Sequence, residues 1–311
     1  THAKFSPSVE GICKDIVVRN NVLLDASSMP GFGGLAGITA FFVESLSITH
    51  NFVQGTAYNG ITLGWGWRNF LDSKTCKGNT VSYNRLVNTL SRLHDSGAIY
   101  TIGQMPGTQI NENFVRGIPP ATSGPTYGLH NDEGSAYITE NDNVLDIDPG
   151  VKYTINCEDF GAKHDLTIRR TYATVNKMGV NPPASVIDPP VAVPDNVWPL
   201  DRYAIVVASG VEEAYRSLLP RSIAVQDHVF PASCAATANA EIPIRPAGDA
   251  SASVWFAKAG TTQFAEGPAM TKAAGDAVKI LAPSAAGTYQ LFVVDANGRV
   301  VGQSAALLRI R

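Results

Sequence analysis

Ile48-Thr-His-Asn51, Val81-Ser-Tyr-Asn84 and Ile110-Asn-Glu-Asn113 are renderings of one phrase. Each opens on a β-branched apolar residue and reaches Asn three positions later; Val17-Val-Arg-Asn20 and Ile138-Thr-Glu-Asn141 fit the same description. The five starts lie 31, 33, 29 and 28 residues apart, and Leu166-Thr-Ile-Arg169 is a decayed sixth copy 28 residues further on. In four of the five, an apolar residue follows the Asn two positions on (Val22, Val53, Leu86, Val115). A period of this length marks a stacked-repeat architecture. Apolar and polar residues alternate in the phrase, so each copy reads as a half-buried strand and not as a helical turn.

A second apolar phrase precedes most copies: Gly60-Ile-Thr-Leu63, Gly97-Ala-Ile-Tyr100, Gly128-Leu-His130 and Tyr153-Thr-Ile155. Several short strands per coil predict an all-β fold, a parallel β-helix of about six coils with strands about 4.8 Å apart. Asn at one fixed position of every coil then forms a ladder, each amide bonding to the equivalent amide or turn backbone above and below. The plainer alternative is that Asn is common in turns.

At 311 residues the chain can bury a large core and hold more than one domain. Charged residues are 16% of the total, the net charge is −3 and there is no basic run, so no nucleic-acid partner is expected. With no run of about 18 apolar residues, no membrane span is expected either. The opening Thr-His-Ala-Lys-Phe-Ser-Pro does not read as a signal peptide. A strand phrase so near the start leaves two alternatives: a short natural cap, or a second chain or cleaved N-terminal fragment that completes the helix, since an uncovered coil is an open sheet edge. Cys13, Cys76, Cys157 and Cys234 form no C-x-x-C pair, which argues against a zinc site. Buried thiols are expected, with one disulfide near Cys76 the alternative in a secreted protein.

Three regions follow. Residues 1–175 carry the coils, interrupted by insertions at 27–34, 65–79 and 104–108 of the kind that build a solenoid's binding surface. Residues 176–221 are a linker rich in proline (Pro182, Pro183, Pro189, Pro190, Pro194, Pro199) with an amphipathic helix expected over 207–219, capped by Ser209 and packed on the β-helix. Residues 222–311 hold short strands, among them Ser253-Val-Trp-Phe256 and Gly287–Val294, with a hairpin turn at Asp295-Ala-Asn-Gly298. These predict a small immunoglobulin-like β-sandwich.

Two phrases stand apart from the ladder: His94-Asp-Ser-Gly-Ala-Ile-Tyr-Thr101 and Gly128-Leu-His-Asn-Asp-Glu-Gly-Ser135. Each immediately precedes a ladder phrase, so they fall in consecutive coils. If Leu129 points inward, His130 and Asp132 point outward, with Tyr100 beside His130. Paired carboxylates in a groove suit glycoside hydrolysis: one gives a proton to the leaving oxygen, the other attacks or activates water. Asp95 and Asp132 are the candidate pair; the alternative is that both hold turns through backbone bonds. Trp65 and Trp67 offer indole faces for sugar, or else plug an insertion loop. His94 is placed to orient Asp95, and Glu133 rivals Asp132 as the acid. Asp142, Asp146 and Asp148 form a solvated acidic face or, at a spacing that matches no standard loop, a structural Ca²⁺ site. No other cofactor is expected.

The same residues carry a resemblance. Tyr58-Asn-Gly-Ile-Thr-Leu-Gly-Trp-Gly-Trp67, His94–Thr101, Pro106-Gly-Thr108 and His130-Asn-Asp-Glu-Gly-Ser135 look like secreted right-handed parallel β-helix glycoside hydrolases, most of all the family 141 type with α-L-fucosidase and xylanase activities. The likeness covers about residues 10–220 and includes Gly210-Val-Glu-Glu-Ala-Tyr-Arg216, similar to a tail that follows the coils in that family. It implies a secreted or periplasmic enzyme acting on plant or microbial polysaccharide, with Asp95 and Asp132 as catalytic residues and Trp65, Trp67, His94, Tyr100, His130 and Glu133 shaping the site. Relatives carry more coils before the first phrase, which this chain does not show. Two rivals remain: a polysaccharide lyase on the same scaffold, with Arg68 or Arg92 as candidate bases, and a non-catalytic glycan-binding protein.

Overall fold

The computed structural model describes residues 11–26, 36–64, 76–119, 124–158, 162–219 and 228–311. The chain forms two units: Thr1–Ala192 with Ser209–Val211, and Val193–Ala208 with Glu212–Arg311.

The first unit is a β-solenoid built from parallel sheets. One stacks seven strands, among them Ser47–Thr49, Thr80–Ser82, Gln104–Asn111, Ala136–Asn141 and Thr167–Arg169. A second, also seven-stranded, follows one corner later in each coil and includes Phe52–Gln54, Arg85–Val87, Phe114–Arg116 and Val144–Asp146. The third has five strands: β1 (Ile38–Ala40), β2 (Ile61–Leu63), β3 (Ser96–Thr101), β4 (Thr126–Asn131) and β5 (Tyr153–Asn156). About four turns of the solenoid separate β1 from β5. Each sheet sends one row inward: Ile48, Val81, Ile110 and Ile168; Val53, Leu86, Val115 and Leu145; Ile61, Ile99, Leu129 and Ile155. These twelve side chains are at most 1% exposed and belong to one core cluster.

The asparagine ladder forms at the corner between the first and second sheets, and its register differs from the sequence reading at both ends. The rungs are Asn21, Asn51, Asn84, Asn113 and Asn143. Asn51 Nδ2 donates to Asn84 Oδ1 at 2.9 Å and to the Val18 carbonyl of the preceding coil, also at 2.9 Å; the backbone N–H of Asn51 donates to the same Asn84 oxygen at 3.1 Å. Asn84 and Asn113 repeat the pattern with their own neighbours. Asn20 and Asn141 are not rungs. At the start, two adjacent Val and two adjacent Asn make the phrase legible in two registers, and strand pairing sets Val18 opposite Ile48 while Val17 stays 68% exposed. A one-residue slip would exchange those faces. At the fifth copy, Glu140 and not Ile138 pairs with Ile110.

The residue before every rung is left-handed. Asn20, His50, Tyr83, Glu112 and Asp142 have φ between 54° and 59° although none is glycine. Each such residue costs about 1 kcal/mol. The three or four hydrogen bonds of the adjoining rung, at about 1 kcal/mol apiece, offset that cost.

The second unit holds a six-stranded sheet and a separate two-stranded one. The long strands Gly287–Val294 and Val300–Ile310 pair antiparallel across the expected turn, where Asp295 Oδ1 accepts the N–H groups of Asn297 and Arg299, both at 2.9 Å. Helix α1 spans Leu200–Ala208, earlier than the helix read from sequence, and Glu213–Leu218 is a short 3₁₀ segment. Gly210, at φ 88°, ends the helical stretch where the sequence reading had it begin. Arg245 supplies the C-terminal cap of α1, its guanidinium donating to the Val206 and Val207 carbonyls at 3.2–3.4 Å.

Candidate active site

The site lies on the outer face of the sheet formed by β2 to β5, and a bend in those strands shapes it. Strict alternation would send every second residue outward, but β4 breaks it. Leu129 lies in the core, and a Cβ on its neighbour Gly128 would also point inward, 2.4 Å from Leu145 Cδ2. Tyr127 and His130, three positions apart, therefore both face out, with ring centroids 4.4 Å apart. Strand β3 bends in step: Ala98 and Ile99 are both core residues, while a Cβ on Gly97 would sit 2.8 Å from His130 Cβ. The ladder between β3 and β4 skips the pair at the bend, joining Gly97 to Tyr127 and then Ile99 to Leu129. Two consecutive inward residues need a small first member, which is why Gly60, Ala98 and Gly128 recur there. The result brings His130 close against β3, and Gly97 is the glycine that this approach requires.

Asp95 stands just before β3, at φ 59°, its N–H donating to the Pro125 carbonyl at 2.6 Å. Asp132 follows β4, its N–H donating to the Thr101 carbonyl at 2.9 Å. The two aspartates thus occupy opposite ends of the paired strands. Their charges interact. The Asp95 carboxyl is held above the ordinary carboxylate range by partial burial and then by the charge of Asp132, with His94, Lys152 and Lys163 pulling it back.

Each aspartate is met by a tyrosine. Tyr100 Oη donates to Asp132 Oδ2 at 2.6 Å, and Tyr58 Oη donates to the Asp95 carbonyl at 3.1 Å. Burial, with a smaller push from both aspartates, raises the Tyr58 hydroxyl to about 12. Tyr100 and Tyr127 are raised further by the same causes, so all three remain donors at neutral pH.

His130 pairs with Tyr100 in the strand register, and their rings meet edge to face at 5.2 Å. It is 3% exposed, and burial pushes it down to about 4 against the opposing pull of Asp132. It is therefore neutral at pH 7. Its Nε2 lies 3.7 Å from Asp132 Oδ1, and its buried Nδ1 has no hydrogen-bond partner among the described residues.

Several residues of this face carry no signal in the strand pattern. Tyr127 has the parity of Leu129 and reads as core; the bend turns it to the outer side, where it packs on His130 and Tyr153. Lys163 is 3% exposed, donates to the Glu158 carbonyl at 2.9 Å, and is lowered by burial while Asp132 raises it. Lys152 pairs with Glu158 at 3.1 Å. Both lysines belong to irregular segments that no periodicity marks.

Of the residues named from sequence, Asp95, Tyr100, His130 and Asp132 come together. His94 lies beside Asp95 and presses on Gly124, where a Cβ would collide with the imidazole ring. Glu133 sits in the turn after Asp132, accepting the Gly103 N–H through its carbonyl at 3.1 Å, and its charge reaches Lys163. Trp65, Trp67 and Arg68 lie outside the described residues.

The acidic group at 142–148 is otherwise engaged. Asp142 holds Arg170 at 2.6 Å, Asp146 holds Arg116 at 3.0 Å and Asp148 accepts the Ile118 N–H at 3.1 Å. Among the described residues no group of three His, Cys, Asp or Glu is arranged to hold a metal ion. All four cysteines are free thiols; Cys76, Cys157 and Cys234 are buried, and burial raises Cys76 to about 11.

No family model matches the chain, and no curated protein matches it. A solved structure named "Glycoside hydrolase" aligns with it at 21% identity and a TM-score of 0.45. The alignment covers 70% of this chain and 31% of the other, so this chain spans about a third of that protein's length.

Proposed function

We propose that this protein is a glycoside hydrolase, with Asp95 as general acid and Asp132 as the carboxylate that attacks or activates water. The observation that carries this reading is that the two carboxyls lie close enough for the charge of Asp132 to act on Asp95. Asp95 is pushed toward its protonated form by burial and by Asp132, as a proton donor requires. Asp132 accepts the Tyr100 hydroxyl and lies near Lys163, surroundings suited to a working carboxylate. In this reading Tyr58, Tyr127 and neutral His130 would bind sugar hydroxyls, and Trp65 and Trp67 would stack on sugar rings. The proposed substrate is a plant or microbial polysaccharide, met outside the cell or in the periplasm, in keeping with the family 141 resemblance.

The test is Asp95→Asn and Asp132→Asn, assayed on a panel of fucosylated and xylan-type glycans with thermal unfolding in parallel. Each variant should lose about 10²–10⁴-fold in kcat and keep its fold. Near-normal turnover by either one would sink the assignment.

One observation favours a second reading. Lys163, buried and lowered beside Asp132, has the makings of a base for a polysaccharide lyase acting on acidic sugar. An unsaturated product absorbing in the ultraviolet would decide for the lyase. Binding without turnover, indifferent to either aspartate, would decide for a glycan-binding protein.

For the architecture, the two seven-stranded sheets support a count of about six coils. The six- and two-stranded sheets of the second unit support a small immunoglobulin-like sandwich, though its strands Ser233–Ala236 and Val300–Ile310 pair parallel.

A further inference from the structure

Glu140 breaks the pattern of its own row. It pairs with Ile110 on one side and Ile168 on the other, and both neighbours fill the core at that position. Val81 and Ile48 do the same in the preceding coils. An isoleucine would complete the row, so packing does not call for a carboxyl there. The side chain is 2% exposed, and its Oε2 has no hydrogen-bond partner among the described residues. Such a group weakens a core unless it serves something else.

What it touches is the inner side of the candidate site. The Asn131 side chain lies within reach of the Glu140 carboxyl, its Nδ2 also 4.0 Å from Cys157 Sγ, and Asn131 closes β4 directly before Asp132. Thr101 Oγ1 donates to Asn131 Oδ1 at 2.9 Å, and the Thr101 and Ser135 hydroxyls lie 3.0 Å apart. Thr101, Asn131 and Ser135 are each at most 1% exposed. Ser135 also donates its N–H to the Asp132 carbonyl at 3.0 Å. The turn from Asp132 to Ser135 is thus gripped from inside the solenoid, while the Asp132 carboxyl meets Tyr100 outside.

We propose that Glu140 is a positioning residue: acting through Asn131, it holds the Asp132–Ser135 turn so that the Asp132 carboxylate meets Tyr100 on the outer face in one orientation. This rests on the reading of Asp132 as a reacting carboxylate. Groups that orient a working side chain from behind are worth about 10–100-fold in activity.

The experiment compares wild type, Glu140→Ile and Glu140→Gln by thermal unfolding, amide hydrogen exchange, kcat and KM. Glu140→Ile completes the apolar row and should melt at or above the wild-type temperature. Its Asp132 and Ser135 amides should exchange faster, and its kcat should fall about 10–100-fold with little change in KM. Glu140→Gln keeps an acceptor for Asn131 and should restore both readings. Wild-type exchange at Asp132 and Ser135 in Glu140→Ile would overturn the inference, and so would unchanged kcat. It is equally overturned if Glu140→Gln loses as much as Glu140→Ile, or if Glu140→Ile fails to fold, because the argument requires isoleucine to fit. Should wild type turn over no glycan, the hydrolase reading fails alone, and the exchange comparison still decides whether Glu140 holds the turn.

Discussion

The asparagine corner and the outer face of β2 to β5 belong to the same coils, yet they use register in opposite ways. At the corner, each coil places the same side chain in the same bonds: Asn51, Asn84 and Asn113 each donate to the next amide and to a carbonyl of the coil before. Repetition itself is the stabilising device. On the face of β2 to β5, aligned positions carry different side chains: Thr62, Tyr100, His130 and Asn156 are partners in one row. The backbone repeats and the chemistry does not. A solenoid allows this because each coil contacts only its neighbours, so side chains at aligned positions can differ while the backbone repeats.

That separation can be broken by experiment. The largest expected effect is on the face: Asp132→Asn should cost about 10²–10⁴-fold in kcat while the melting temperature moves little. At the corner the reverse should hold. Asn84→Ala leaves the buried Asn51 N–H and amide without their shared acceptor, and should cost about 3 kcal/mol, roughly 10 °C in melting temperature. Specific activity of the folded fraction should stay unchanged. An Asn84→Ala protein that keeps its stability would mean that the ladder is decoration.

The two regions also respond differently to pH. Glu140, raised by burial from 4.5 to about 7, keeps a proton in the fold that the unfolded chain releases. Between those values the unfolded chain binds fewer protons, so this group's contribution to stability falls as pH rises. His130 runs the other way: lowered from 6.5 to about 4, it is neutral in the fold where the unfolded chain is protonated, so stability rises with pH through that window. The two slopes oppose in wild type. Glu140→Gln removes the first, and denaturant unfolding from pH 4.5 to 6.5 should then show stability climbing more steeply with pH. Equal slopes in the two proteins would contradict the burial of Glu140.

Smaller effects sharpen the contrast. Tyr100→Phe removes one hydrogen bond to Asp132 and should lower kcat about tenfold with little loss of stability. Asn21→Ala, at the part-buried end of the ladder, should cost no more than about 1 kcal/mol by the same unfolding assay, well below Asn84→Ala.

The repeat, the parallel coils and the pairing of Asp95's coil with Asp132's were legible in the sequence because they depend on spacing. The exact rungs were less so. Val17-Val-Arg-Asn-Asn21 satisfies the phrase in two registers, and the fifth copy offers Ile138 where the pairing takes Glu140. Register is a contest between whole faces, and a local phrase records only one entrant. Helix α1 was misplaced for a similar reason: a favourable run around Ser209 outweighed Gly210, which sits in the left-handed region and stops the helix.

By itself, then, the order of residues determined that this chain stacks strands, that Asn lines one corner, and that two aspartates fall in neighbouring coils. Only the tertiary structure decided that Tyr127 turns outward, that Tyr58 and Lys163 join the site, and that Glu140 lies beneath it. The reason is physical. Spacing dictates which residues share a coil, whereas a bend at Gly128 or a charge brought from an irregular segment depends on contacts between positions that no period connects.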